Sequence, residues 1–222
     1  MFDAVIFDCD GVLVDTEVLA LEVEWTLLGE LGFSVDRAAY ARRYCGLSEA
    51  EWCAAIAQEY PGLRERFGEF QASLQQRLHA AYHGHGLRAI AGVERAIAAA
   101  PGRRAVSSSS SSTLLAVKLQ RTGLWPMFAP HVYGADAVAR GKPAPDLFLH
   151  AARSLGVDPA RCLAIEDSAN GVRAGLAAGM QVWGFLGGGH MNEQLAAGLR
   201  ALGAARLLGS WDEAARAFEQ IA

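Results

Sequence analysis

Short apolar runs recur along the chain, each closed by polar, acidic or glycine residues, and this pattern predicts strands. The first is Phe2–Asp8. Later ones are Arg104–Ser107, His131–Gly134, Cys162–Ile165, Gln181–Phe185 and a brief run around Arg206–Leu208. Between them lie segments with helical spacing: Val93–Ala100, Thr113–Gly123, Pro145–Leu155, Gly171–Ala178 and a last helix from Trp211. Strands that alternate with helices indicate parallel βαβ units, hence an α/β fold with a doubly wound parallel sheet.

The texture changes after the first strand. From Thr16 to about Tyr82 the periodicity is helical throughout. Val18, Leu21, Val23, Leu27, Leu28 and Leu31 form one apolar-rich helix stopped by Gly32, and further helices are predicted from Asp36, Ser48 and Leu63. Ser48 with Glu51 three positions on is a capping-box pattern. His83-Gly84-His85-Gly86 then breaks the chain. An insertion of roughly 65 residues is too long for an ordinary βα loop. The expected organisation is an α/β core of residues 1–15 and 86–222 with an all-helical cap, 16–85, inserted after strand 1. Placed beside the carboxyl edge of the sheet, such an insertion would be a lid, hinged at Gly84, Gly86 and Leu13–Glu17.

Composition narrows the partners. The chain has 222 residues, 52% apolar and 20% charged, which suits a folded globular protein. A net charge of −4 gives no basic footprint, so nucleic acid is not expected. The four cysteines (Cys9, Cys45, Cys53 and Cys162) show no metal-binding spacing, and Cys9 and Cys162 sit in or beside strand-like runs, as buried thiols do. No basic, apolar leader opens the sequence, and no run approaches the ~18 apolar residues of a membrane span. A reduced, cytoplasmic protein without membrane contact is expected. A monomer is the default expectation, although no sequence feature speaks to assembly.

In an open α/β sheet, ligands collect beyond the carboxyl ends of the strands. Asp8 closes the first strand there. Alone it would as readily be a turn or capping aspartate, but Asp10 follows two residues on, from a tight turn that Gly11 permits. Carboxylates this close repel, so their environments must separate their pKa values or a cation must hold them. Either outcome suits phosphoryl transfer, with one ionised nucleophile and one acid to protonate a leaving oxygen. Glu166-Asp167 ends another buried strand. Acid pairs at helix starts are often mere dipole partners, but opposite Asp8 they would also offer Mg²⁺ the oxygen ligands it prefers. Lys142, in Arg140-Gly141-Lys142-Pro143, is one of only two lysines, the other being Lys118. A buried ammonium there would screen nucleophile from phosphate. In the serine run, Ser108 offers a hydroxyl and helix-start N–H groups as a phosphate seat, with Ser109 its neighbour in that role and Gly11 at the opposite turn. The run could equally be a flexible loop. His190, after Gly187-Gly188-Gly189, reads as a plain surface histidine, with substrate contact the lesser alternative. Arg42 and Arg43 could, with the serine-rich loop, meet an acidic or hydroxylated tail, but arginines on an exposed helix face are usually solvated.

Together these motifs resemble the haloacid dehalogenase superfamily of phosphohydrolases, over essentially the whole chain. Asp8-Cys9-Asp10-Gly11-Val12-Leu13-Val14-Asp15-Thr16-Glu17 is similar to its first motif, in the branch of β-phosphoglucomutase and sugar-phosphate phosphatases. Val106–Ser110 resembles the second, Gly141–Asp146 the third, and Ile165–Gly171 with Ala178-Gly179-Met180 the fourth. The resemblance implies a Rossmann-like core with a helical cap and a Mg²⁺-dependent phosphatase acting on a small phosphorylated metabolite, a sugar or sugar-acid phosphate. By the same resemblance Asp8 would become an aspartyl phosphate. Asp10 would serve as acid and then base and lend its carbonyl to Mg²⁺. Asp8, Glu166 and Asp167 would complete the metal site, and Ser108 and Lys142 would hold phosphoryl oxygens.

Two departures bear on the alternatives. Where β-phosphoglucomutase has a histidine in the cap linker, this chain has Ala20. Gly46-Leu47-Ser48 is followed by Glu49 rather than a basic residue. Both favour hydrolysis over a phosphosugar mutase. A non-catalytic, receiver-like phosphate-binding domain is the remote third reading, and it explains neither Asp10 nor the helical insertion.

Overall fold

The computed structural model describes residues 1–44, 49–84 and 86–221, together with their side chains except at 42 and 49–51. The capping pair Ser48/Glu51, the Gly46–Glu49 turn and Cys45 fall outside what is described. In chain order the elements begin with β1 (Ala4–Phe7), then α1 (Thr16–Glu30), α2 (Arg37–Tyr44), α3 (Glu49–Glu59) and α4 (Phe67–His83). There follow α5 (Val93–Ala99), β2 (Arg103–Ser107), α6 (Ser112–Arg121), α7 (Trp125–Phe128), β3 (Val132–Tyr133) and α8 (Asp146–Leu155). The chain closes with β4 (Cys162–Glu166), α9 (Ala169–Ala177), β5 (Gln181–Phe185), α10 (Glu193–Ala201), β6 (Arg206–Leu208) and α11 (Trp211–Glu219).

The six strands form one parallel sheet in the order β3-β2-β1-β4-β5-β6. β1 is apolar at every position because both of its faces are covered. Val5 and Phe7 face one side, packing with residues of α5, α6 and α11, while Ala4 and Ile6 face the other, among residues of α8 and α9. The sheet order reverses between β1 and β4, and at such a switch point the loops beyond the strands diverge and leave a crevice. Asp8 follows β1, and the Glu166-Asp167 pair closes β4, so both line that crevice.

Among its described residues the insertion forms helices and no strand, and it has a hydrophobic cluster of its own, in which Leu28, Tyr40, Trp52, Ile56 and Phe70 are buried. Its last predicted helix begins later than the sequence indicates: Pro61–Arg66 is a 3₁₀ segment and α4 starts at Phe67. Helix α7 is absent from the sequence reading, because four residues that include Pro126 read as a loop. The two chain crossings between sheet and insertion are fastened together. Val14 pairs antiparallel with Ala89, the Asp15 N–H donates to the Arg88 carbonyl at 3.1 Å, and the Ile90 N–H donates to Leu13 at 2.9 Å. Among the described residues, no helix is long and apolar enough to cross a membrane.

Candidate active site

The turn after β1 is tight because Leu13 and Val14 both donate backbone N–H groups to the Cys9 carbonyl, at 2.9 and 3.0 Å, and Gly11 donates to Val14 at 2.8 Å. Gly11 has φ +71°. A Cβ at that position would lie 1.9 Å from Asp167 Oδ2 and 2.6 Å from the His190 ring, so the glycine allows the turn to approach the second acid cluster. Gly171 plays the same part under Glu166, whose carboxyl group would overlap any Cβ there.

Asp8, Glu166 and Asp167 are buried, and each offers an oxygen within 4.8 Å of the others. Lys142 is driven into this cluster. Its Nζ donates to Asp8 Oδ1 and to Glu166 Oε1, each at 2.5 Å, and to the Ser107 carbonyl at 2.8 Å, and it lies 4.9 Å from the centre of the Phe148 ring. Glu166 Oε2 accepts from the Ser168 hydroxyl at 3.1 Å. Burial pushes the Asp8 carboxyl well above the usual carboxylate range, more than the neighbouring Lys142 ammonium pulls it down. Glu166 is raised for the same reason.

Asp10 lives in a different setting, two residues away. Its Oδ1 accepts from the Thr16 hydroxyl at 2.7 Å and from Lys118, and its Oδ2 accepts from Ser110 at 3.0 Å and Ser108 at 3.2 Å. Burial alone would raise its pKa, but Lys118 and these donors outweigh burial and hold the carboxyl below the usual range. The two aspartates of the turn are thus pushed apart, as their spacing requires. The direction differs from the simplest expectation: burial raises Asp8 in spite of Lys142, and Asp10 is the firmly ionised member.

Of the residues expected here from the sequence, the structure brings Asp8, Asp10, Gly11, Ser108, Lys142, Glu166 and Asp167 into one crevice. Ser109 instead is exposed and lines the adjoining cavity. The helix-start N–H groups offered as a phosphate seat are largely used within the protein. Ser110 N–H donates to the Ser108 hydroxyl at 3.0 Å, Ser112 N–H to Asp136 at 2.7 Å, and Leu114 N–H to Ser111 at 3.3 Å. His190 is not the surface residue its glycine-rich loop suggests. It is 8% exposed, with Nε2 3.0 Å from Asp167 Oδ2. Burial lowers its pKa, but the Asp167 hydrogen bond and nearby acids raise it beyond that loss. Arg43 pairs with Glu59 and stacks over Tyr44.

Residues 2–179 match the haloacid dehalogenase-like hydrolases. The chain belongs to that family. This hydrolase is 27% identical to the 6-phosphogluconate phosphatase of Escherichia coli K12, over 85% of its own length and 84% of the relative's. It superposes with a TM-score of 0.86 on a conserved haloacid dehalogenase-like protein of unknown function from Agrobacterium tumefaciens, at 34% identity over 100% of this chain and 99% of that one. A hydrolase of the same family from Deinococcus radiodurans, crystallised with bound phosphate and sodium, gives a TM-score of 0.79 at 39% identity, covering 96% and 93% of the two chains. Membership makes the chain an enzyme, which removes the receiver-like reading, and its phosphatase-named relatives support hydrolysis of phosphoric monoesters.

The residue that sequence reasoning missed in this hydrolase is Lys118. It is buried, bonded to Asp10, and 2.9 Å from the Ser110 hydroxyl, with the Tyr82 ring of α4 4.7 Å from its ammonium. A signal for it existed. Leu115, Lys118 and Leu119 fall at i, i+3 and i+4, on the face of α6 that is buried.

Proposed function

We propose that this hydrolase is a Mg²⁺-dependent phosphatase of a small phosphorylated metabolite, of the sugar-phosphate class, working through an aspartyl phosphate on Asp8. The observation that carries the reading is the charge balance of the crevice. Four carboxylates (Asp8, Asp10, Glu166 and Asp167) face two ammonium groups, Lys118 and Lys142, which leaves a deficit that suits a divalent cation. The donors are all hard oxygens, the kind Mg²⁺ takes. Asp8 and Asp167 would hold it, with the Asp10 carbonyl and Glu166 beside them. When bound, the ion supplies charge neutralisation between nucleophile and phosphate and polarises the phosphoryl oxygens.

The chain's own groups then divide the work. The Asp8 carboxylate attacks phosphorus in line, and Lys142 keeps it oriented and offsets charge on the incoming phosphoryl oxygens. Ser108 lies in the crevice where those oxygens would enter. Asp10 carries the proton. An anionic ester entering beside it raises its pKa, so it takes up a proton with the substrate, gives it to the leaving oxygen, and then as a carboxylate takes one from the water that opens the acyl phosphate. The donors around Asp10 favour its ionised form, which suits the second half of this cycle. The helical insertion serves as a cap that excludes bulk water while the aspartyl phosphate stands.

Hydrolysis is favoured over transfer to a second sugar hydroxyl. Ala20 lies on the cavity wall where a mutase of this family would need its linker histidine. The phosphate recorded in the Deinococcus radiodurans relative is consistent with a phosphate site in this fold. The deciding experiment is phosphate release over a panel of sugar phosphates with Mg²⁺, with EDTA, and with Asp8→Asn. Multiple-turnover release that disappears with EDTA and with the variant is the expected result. No release from any ester, with one phosphate per chain trapped from a small phosphodonor, would overturn it.

A further inference from the structure

Between the helical insertion and the serine loop lies a cavity of about 710 Å³. It opens onto Asp10, so it is where the part of a substrate beyond the phosphoryl group would lie. Its volume falls in the range of small-molecule sites, ~300–1,000 Å³. Two glutamates, Glu17 and Glu24, project into it from α1, seven residues apart and so on one face of the helix. Opposite them stand Trp52 of α3 and the amides Gln71 and Gln75 of α4.

Cationic groups are scarce here. No arginine lines the cavity among the described residues, and its one ammonium, Lys118, is committed to Asp10 and Ser110. The remaining candidates are His79, exposed, and His83, whose rings stack on each other with centroids 4.0 Å apart and whose Nδ1 (in His83) is bonded to the His79 carbonyl. By contrast Glu17 lines the cavity and accepts no hydrogen bond from any described residue. Glu24 keeps one oxygen on the Tyr40 hydroxyl at 2.9 Å.

We propose that Glu17 and Glu24 make this site selective for phosphate monoesters whose leaving group is neutral or carries an amine, and against those with a second anionic group. The inference rests on the phosphatase reading above and narrows it. A second phosphate or a carboxylate would enter a cavity with two acids on its wall and, among the described residues, no free ammonium. Like charges brought together at a binding surface cost several kcal/mol. A hydroxyl can donate to Glu17 whether or not the acid is ionised, and an ammonium would make an ion pair there. Burial already pushes both carboxyls up to about 7, Glu17 with help from Asp167 and Glu24 with help from Glu17. An added anion would aggravate that strain, and an added amine would relieve it. The sugar-acid half of the expected substrate class is therefore set aside, in contrast to the relative named for 6-phosphogluconate.

The test is a comparison of kcat/KM in Mg²⁺ for four esters: 4-nitrophenyl phosphate, glucose 6-phosphate, glucosamine 6-phosphate and 6-phosphogluconate. Where a hexose ester binds without turnover, its inhibition constant against 4-nitrophenyl phosphate supplies the same ratio. The two non-acidic hexose esters should exceed 6-phosphogluconate by at least about tenfold, the factor that corresponds to ~1.4 kcal/mol. Glu17→Gln and Glu24→Gln should each narrow that gap, mainly through KM. If 6-phosphogluconate equals or leads the others, or if none of the hexose esters binds, the selectivity proposal is overturned while the phosphatase stands on the aryl ester. A gap that neither variant narrows assigns selection to other groups and also overturns it. Silence on all four esters overturns the phosphatase reading, and the selectivity falls with it.

Discussion

The chain has two lysines, and each is buried against one aspartate of the same turn, yet the two pairs are built differently. Lys142 is held entirely by core elements: Asp8 after β1, Glu166 at the end of β4 and the carbonyl of Ser107 at the end of β2. Two carboxylates share that one ammonium. Lys118 has a single carboxylate, Asp10, and is also faced by Tyr82 of the helical insertion. Asp10 itself keeps three hydroxyl donors (Thr16, Ser108 and Ser110), of which only Ser110 is also bonded to the lysine. The first pair therefore neutralises a site that could not otherwise be buried. The second biases one carboxyl toward its charged form and does so in contact with the part of the molecule that would move. Burial and charge are the same in kind, but the number of independent partners decides what removal costs.

The largest effect should come from the acid that Lys142 serves. Asp8→Asn removes the proposed nucleophile while keeping shape, and steady-state phosphate release should fall by ~10⁴-fold or more. Next, Lys142→Met should both stop turnover and cost ~3–5 kcal/mol of stability in urea unfolding, because two buried carboxylates lose their only ammonium. Lys118→Met should behave otherwise. Its kcat should fall by ~10²-fold, the usual scale for a compromised acid–base group. Its stability loss should be smaller than that of Lys142→Met, since Asp10 retains its hydroxyl donors. Equal stability losses in the two variants would break the distinction between the pairs.

The smallest effect concerns acids that no lysine reaches. Glu24 holds its proton up to about 7 in the folded chain, against an ordinary value of 4.5. Over that window the folded state binds more protons than the unfolded state, so the contribution of Glu24 declines as pH rises from about 4.5 and levels off above about 7. The loss is at most about 3 kcal/mol at 1.36 kcal/mol per pKa unit, and Glu24→Gln should flatten the corresponding slope in a pH series of unfolding midpoints. Asp10, whose pKa is lowered, works in the opposite sense: its stabilisation is present above 3.8 and disappears as acid carries the pH down through its depressed value.

How much of this was legible in the sequence follows from which forces act locally. β5 begins and ends where the apolar run places it, because a strand buried on both faces writes itself as a contiguous run. β6 also matches its brief run, although it is the edge strand and only Leu208 of it is buried. The acids of the site were legible for a related reason: turn residues after such runs can only lie at the sheet's carboxyl edge. Partners were harder. Lys118 was hidden because a lysine on a helix is usually solvated, and only its spacing with Leu115 and Leu119 betrays burial. His190 was hidden because three glycines precede it, and a glycine-rich loop carries no pattern that says which way it folds. The loop folds inward, to Asp167. Glu17 and Glu24 share a face of α1 by spacing alone, but that the face lines a cavity depends on where α3 and α4 pack.

The pairing of Val14 with Ala89 has a consequence for how such a molecule can be rebuilt. Residues paired antiparallel across two neighbouring segments have Cα atoms only ~4.5–5.5 Å apart, a gap that a two-residue hairpin closes. The whole helical module thus leaves and re-enters the sheet domain through a doorway one turn wide. It could be excised and replaced by a short Asn-Gly turn without stretching any strand, or exchanged for another module whose ends lie equally close. Fold and chemistry would stay with one part and choice of substrate with the other, so a graft at this doorway could redirect the enzyme without touching a single group that handles phosphorus.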